Sequence, residues 1–314
     1  MKADHNVPAL FAEALYSKSR VYIQRALARK DANDLDEYQL WASLALELLG
    51  KAALSRVHPC LIADPTHYQS MFAAAGVPTS TDIKTITAKT LFERLGHLSA
   101  PFDESVRNFC NAIAQRRNAE LHSGDAPFKV MKLGAWEAAY WHACDLIVKY
   151  SGSTLEEWLG ADQAKAPQTL LKHATEALKD AVEERISKAK TVFLARKKAD
   201  QVSALAEAEG KEAFHYTKLF ATDGDATWAV ACPACSGRAH ISGFEVYEEI
   251  TQDGDGEYEF WESVEKTFSP KEFRCPVCAL ALNGYAEMKA AKLDADHVTT
   301  EEREMVYEPD YGNC

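Results

Sequence analysis

The chain contains no run of about twenty uninterrupted apolar residues, so no helical membrane span is expected. A basic flank followed by an apolar stretch is missing at the N-terminus, so no signal peptide is expected either. A cytoplasmic address follows as the expectation, in which the eight cysteines are reduced or metal-bound rather than disulfide-paired. The first 150 residues show no strand alternation, and no internal repeat is found. Positive charge is short overall, at a formal −12, but unevenly so. Residues 1–150 carry 17 Lys+Arg against 16 Asp+Glu, while residues 241–314 carry 6 against 18. That acidity weighs against the C-terminal end gripping a nucleic-acid backbone. It places no such limit on the first half.

What is present is ordinary for a globular protein, with 47% hydrophobic and 26% charged residues. A length of 314 residues fits two smaller cores better than one large one. Residues 8–29 and 34–57 read as paired amphipathic helices, the second through Leu40, Trp41, Leu44, Ala45, Leu48 and Leu49. Asn33 or Asp34 suits its N-terminus, and Lys51 and Arg56 suit its C-terminal end. A loop containing Pro59, Pro65 and Pro78 follows, then helices over 81–96, 101–123 and 134–150. Five helices joined by modest loops make an α-bundle. Residues 151–210 read as a helical arm or partial coiled coil, with Pro167 marking its start and Gly210 its stop. Its basic cluster, Lys188, Lys190, Arg196, Lys197 and Lys198, reads as a solvated helix face. From residue 227 the pattern turns to β, with Trp228, Val230, Phe244, Val246, Tyr258 and Phe260. Asp253-Gly254-Asp255-Gly256 supplies hairpin chemistry, a short helix is expected near 284–293, and the acidic tail from Thr299 is expected to be loosely held.

The chemistry of the first half concentrates in Arg117-Asn118-Ala119-Glu120-Leu121-His122, at the end of the fourth helix. A guanidinium can hold a scissile phosphate, and an imidazole can take a proton from a ribose 2′-hydroxyl or give one to a departing 5′-oxygen. The apolar stripe Phe102, Val106, Phe109 and Ile113 continues onto Arg117, an inward position that is costly unless the arginine is paired or lines a cleft. Asn118 and His122 lie one turn apart on a neighbouring stripe with Cys110 and Ala114. Arg117 and His122 stand about 140° apart on an ideal helix, so two chains about a two-fold axis would share a site more easily than one. Ser123-Gly124 ends the helix. The remaining histidines, including His58, His67, His97, His142 and His173, have no partner at diagnostic spacing and read as structural or surface groups. Cys60, Cys110, Cys144 and Cys314 read as isolated thiols.

Arg-Asn-x-x-x-His on the fourth helix, about seventy residues after a Leu/Ala-rich helix ending Glu47-Leu-Leu-Gly-Lys51, resembles the HEPN (higher eukaryotes and prokaryotes nucleotide-binding) domain ribonucleases over about residues 8–150. The resemblance implies a homodimer with a composite, metal-independent endoribonuclease site. It also implies roles: Arg117 on the phosphate, Asn118 orienting it and His122 as acid–base group. Service as a toxin or phage-defence effector is a further implication of the family. Gly124 stands where members silenced by nucleotidyl transfer carry tyrosine, which puts that mode of control in doubt. Other members bind without cutting, so the alternative is a non-catalytic adaptor for nucleotide, nucleic acid or a protein.

The second half carries Cys232-Pro-Ala-Cys235 and Cys275-Pro-Val-Cys278. Two such knuckles complete a tetrahedral sulfur shell for structural Zn²⁺, as in a zinc ribbon. A redox dithiol would want a thioredoxin-like βαβ pattern, which neither pair has. The sequence therefore reads as a mainly α protein: an HEPN-like helical domain at 1–150, a helical linker at 151–210, and a zinc-ribbon-like domain with an acidic tail at 211–314. RNA is the expected substrate, a second copy the expected partner of the helical domain, and a regulatory protein a candidate partner for the acidic module.

Overall fold

The computed structural model describes residues 8–77, 82–131, 133–210, 220, 224–252 and 261–304. The chain divides into two compact units, Met1–Glu176 and Ala177–Cys314.

The first unit is helical. Among the described residues its α-helices are α1 (Ala12–Asp31), α2 (Leu35–Val57), α3 (Tyr68–Ala74), α4 (Ala88–Leu98), α5 (Glu104–His122), α6 (Leu133–Tyr150) and α7 (Leu155–Leu159), followed by the start of α8 (Ala161–Leu194). Helix α2 is the organiser, touching α1, α4, α5 and α6. Asp34 starts it by accepting the Glu37 amide at 3.4 Å, and Asp103 starts α5 by accepting that of Val106 at 3.1 Å. Each cap satisfies one of the amides a helix start leaves unpaired. A Cβ on Gly50 would lie 3.2 Å from Leu91, so the bare backbone lets α2 and α4 approach closely. An aromatic file runs through the core from Tyr38 through Trp136, Tyr140 and Trp141 to Trp158, with ring centroids 5.0–6.5 Å apart. Two of its polar tips are satisfied, Tyr140 donating to Ala42 O at 2.9 Å and Trp158 Nε1 to Ser19 Oγ at 2.9 Å, whereas Trp136 Nε1 is buried with no hydrogen-bond partner among the described residues.

Several expectations need correction. Six α-helices, not five, precede residue 151, because α3 forms within the proline-rich segment read as loop. The helix expected over 81–96 starts at Ala88, since Thr87 caps it and residues 84–86 are extended, pairing with 62–64 through an Ala63–Thr85 bridge. Pro167 sits inside α8 rather than before it. The break there comes from Gly160, which ends α7 at φ +93, a conformation side chains resist.

In the second unit α8 ends at Leu194, and α9 (Lys198–Glu209) follows a short turn. Leu170 and Leu171 pack on the first unit's core, whereas Leu178, Ile186 and Ala189 pack on the second's. The sheet is antiparallel, in the order β1 (Ala226–Ala231), β2 (Arg238–Gln252), β3 (Trp261–Arg274), β4 (Ala281–Asn283), with β5 (His297–Glu304) also pairing with β3. Helix α10 (Gly284–Ala290) sits between β4 and β5. The hairpin residues 253–256, with Tyr258 and Phe260, fall outside the described residues. The expected alternation does not hold in β2: three register shifts interrupt it, and Val246 lies 43% exposed. Residues 299–304 are not a loose tail but belong to β5. Their acidity is tolerated because Lys266 faces Glu301 at 2.5 Å and Arg303 faces Glu248 and Glu262 at 2.9 and 2.6 Å.

Candidate functional site

Helix α5 buries Val106, Cys110, Ile113 and Ala114, and one turn later the same inward face reaches Arg117. The side chain is only 11% exposed, and it pays for that position by pairing with Glu47 of α2. Its Nε and Nη2 also donate to Asn118 Oδ1 at 3.2 and 2.8 Å. Glu47 accepts in addition from Lys51 Nζ at 2.7 Å, and Lys51 donates to Thr85 Oγ1 at 3.0 Å. Burial pushes the Glu47 carboxyl up, but Lys51 and Arg117 outweigh it and hold it below the usual carboxylate range. Two cations thus share one carboxylate, which leaves a surplus positive charge in a largely buried setting. Asn118 and His122 are exposed.

The motif is therefore split in orientation. Arg117 is turned against α2, while His122 lies in the last helical turn facing solvent, about 140° around the helix. One chain does not bring the two onto a single small group. Arg117 and its neighbour Asn118 are brought together; His122 is not joined to them. Glu47, Lys51 and Thr85 are the additions that sequence reading did not assign to the site. Glu47 and Lys51 were visible as an i, i+4 pair, but nothing in the sequence aimed them at Arg117.

The other singled-out groups have structural surroundings. His58 Nδ1 accepts the Cys60 amide at 3.2 Å, and His67 lies 2.8 Å from Ser70 Oγ and 3.6 Å from Asp82. Burial lowers the His142 pKa and raises those of the buried Cys110 and Cys144 thiols, keeping all three neutral. In the basic cluster Lys188, Lys190, Lys197 and Lys198 are exposed, but Arg196 donates to Val277 O at 2.8 Å.

That carbonyl belongs to the second candidate centre. Cys232, Cys235, Cys275 and Cys278 are all buried, and their sulfurs lie within 4.8 Å of one another. The Cys232–Cys278 and Cys235–Cys275 separations are both 3.6 Å. Four sulfurs about 2.3 Å from one tetrahedral ion would sit roughly 3.8 Å apart, so the spacing fits a thiophilic metal. The two knuckles fold alike. Ser236 and Ala279 adopt φ 59 and 60, and their amides donate to Cys232 O and Cys275 O at 2.9 and 3.0 Å. Holding two non-glycine residues in the left-handed region costs energy that the surroundings must offset. The Cys232 and Cys275 thiols stabilise a thiolate at Cys278, holding its pKa below the usual thiol range. Four thiols this close cannot all ionise without a cation, and a bound ion would take up that charge. The cluster is compatible with a structural metal.

Comparison with protein-family models, with curated proteins and with solved structures finds no significant match to this chain.

Proposed function

We propose that the protein is an endoribonuclease of the HEPN type, cutting RNA without a catalytic metal at a site composed from two copies of its helical unit. The observation that supports it best is the Glu47-anchored Arg117, fixed in orientation and adjoining exposed Asn118 on the helix that also presents His122. In the reaction the ribose 2′-oxygen attacks phosphorus, forming the P–O2′ bond as the P–O5′ bond breaks. His122 accepts the 2′-hydroxyl proton, and the resulting imidazolium delivers it to the departing 5′-oxygen. Arg117 neutralises charge growing on the non-bridging oxygens, and Asn118 orients the phosphate. Products carry a 2′,3′-cyclic phosphate and a 5′-hydroxyl. Zn²⁺ in the four-cysteine site holds the second unit's fold and takes no part, since four thiolates leave no coordination position for water. A toxin or defence role would suit such an enzyme.

A second reading has its own observation. All three guanidinium nitrogens of Arg117 already have partners in Glu47 and Asn118. A purely structural arginine in a non-catalytic adaptor would look the same. The two readings separate on incubating the purified protein with transfer RNA and mixed single-stranded RNA in EDTA. The wild type is expected to cleave, and His122→Ala and Arg117→Ala to lose at least about a hundredfold in rate. An inert wild type across a broad RNA panel leaves the adaptor reading standing.

A further inference from the structure

We propose that the outer face of α1, together with Trp41 of α2, binds single-stranded RNA by stacking and charge. The choice of polymer rests on the ribonuclease reading; the surface itself rests on the following observations.

Helix α1 is basic in an acidic protein. It carries five cations against Glu13 and Asp31, a local balance of 5 − 2 = +3 where the chain as a whole stands at −12. Three of the five are occupied: Lys30 pairs with Glu137, Arg20 donates to Trp158 O at 3.1 Å, and Arg29 lies 3.8 Å from Asp34. The other two, Lys18 and Arg25, are exposed and form no ion pair among the described residues. They lie over aromatic rings instead. Lys18 Nζ is 5.6 Å from the Tyr22 centroid, and the Arg25 guanidinium is 5.7 Å from Tyr22 and 5.1 Å from Trp41.

The rings form a fixed platform. Tyr22 and Trp41 meet edge-on, with centroids 5.2 Å apart at 73°, and Trp41 Nε1 donates to Glu37 Oε2 at 2.7 Å. Both rings are half-buried, so each keeps part of its surface toward solvent. Two rings and a planar guanidinium beside a second cation are the parts that hold an unpaired strand: bases stack on the flat groups and phosphates meet the cations. An acidic peptide would use the cations but has no use for the rings. Duplex RNA would offer no free base faces. With stacking rather than base-edge hydrogen bonds as the contact, the surface would tolerate any sequence.

Trp41 and Glu47 share α2 but lie about 9 Å apart along its axis and roughly 120° around it, so this surface and the proposed cleavage site occupy different faces of that helix.

The test uses the full-length protein and a fluorescein-labelled uridine 12-mer with 2′-O-methyl riboses, whose blocked 2′-oxygens make it uncleavable whatever the enzyme does. Anisotropy titrations across a salt series are expected to show binding. In the Lys18→Glu/Arg25→Glu double variant, both sites being exposed, binding should weaken at least about tenfold, with the slope of log affinity against log salt shallower by about 1.4. Circular dichroism and zinc content should be unchanged. Equal affinity and slope in the variant overturn the proposal, as does displacement of the oligomer by polyglutamate as effectively as by unlabelled RNA. Binding without cleavage of ordinary RNA keeps this surface and removes the nuclease reading. Cleavage with the double variant indistinguishable from wild type does the reverse.

Discussion

In the first unit, Trp141, Trp158, Tyr140 and Phe102 are each at most 1% exposed, and helices close around them on all sides. In the second unit the core contains Phe273 and Trp228, but also four cysteines placed where apolar side chains would otherwise sit. The first unit is held by burial of large apolar groups, which needs no outside help. The second places four thiols within 4.8 Å of one another, an arrangement compatible with a structural metal. Polar networks differ correspondingly. The Glu47–Lys51–Arg117 cluster is largely shielded from water, whereas the Lys266 and Arg303 pairs lie across the surface of a sheet.

That contrast breaks most visibly at the sulfurs. Cys278→Ser is expected to abolish binding of one metal ion per chain and to expose β1–β4 to rapid hydrogen exchange, while α1–α6 keep their protection. Metal analysis and exchange mass spectrometry check this; protection lost equally in both units would mean that the metal does not distinguish them.

A smaller effect is expected at Glu47. Glu47→Gln leaves Arg117 and Lys51 without their shared anion, at a cost of about 2–3 kcal/mol to the first unit, read from urea unfolding of α-helical signal. Metal content should not change. The pH dependence has a definite sign. The folded carboxyl titrates below its ordinary value of 4.5, so its contribution is complete above that pH and drains away as pH falls through the lower folded value. The Gln variant should lack this acid-side loss; an unchanged acid profile would show that the carboxylate is not holding the pair.

Smallest is Tyr140→Phe, which removes the hydroxyl bonded to Ala42 O and should cost about 1 kcal/mol in the same unfolding experiment. A loss several times larger would mean that the aromatic file depends on that bond rather than on burial.

Much of this was written locally. A cap at Asn33 or Asp34 (Asp34 in the fold), Ser123 as the end of α5 and the paired Cys-x-x-Cys knuckles each act over a few residues and stand within what the sequence offered. What escaped was set by contacts between distant segments. Strand β5 is acidic enough to read as tail, and only its pairing with β3, with Lys266 and Arg303 among the strands, makes it a strand. Helix α3 is seven residues long among prolines, too short for periodicity to show. The Glu47–Arg117 pair spans 70 residues, and no local pattern encodes which carboxylate meets an inward arginine. The inward position of Arg117 and its separation from His122 were legible on the helical wheel; the partner that meets the arginine was not.

A site shared between two chains makes a quantitative demand on mixed subunits. Arg117→Ala and His122→Ala proteins, each inactive alone, are unfolded together and refolded at equal concentration beside a wild-type control. If each cleft takes its arginine from one chain and its histidine from the other, half the dimers are mixed and each holds one intact cleft of two, so about a quarter of wild-type RNA cleavage returns. A mixture as inactive as its parents, beside an active wild type, would contradict the shared site.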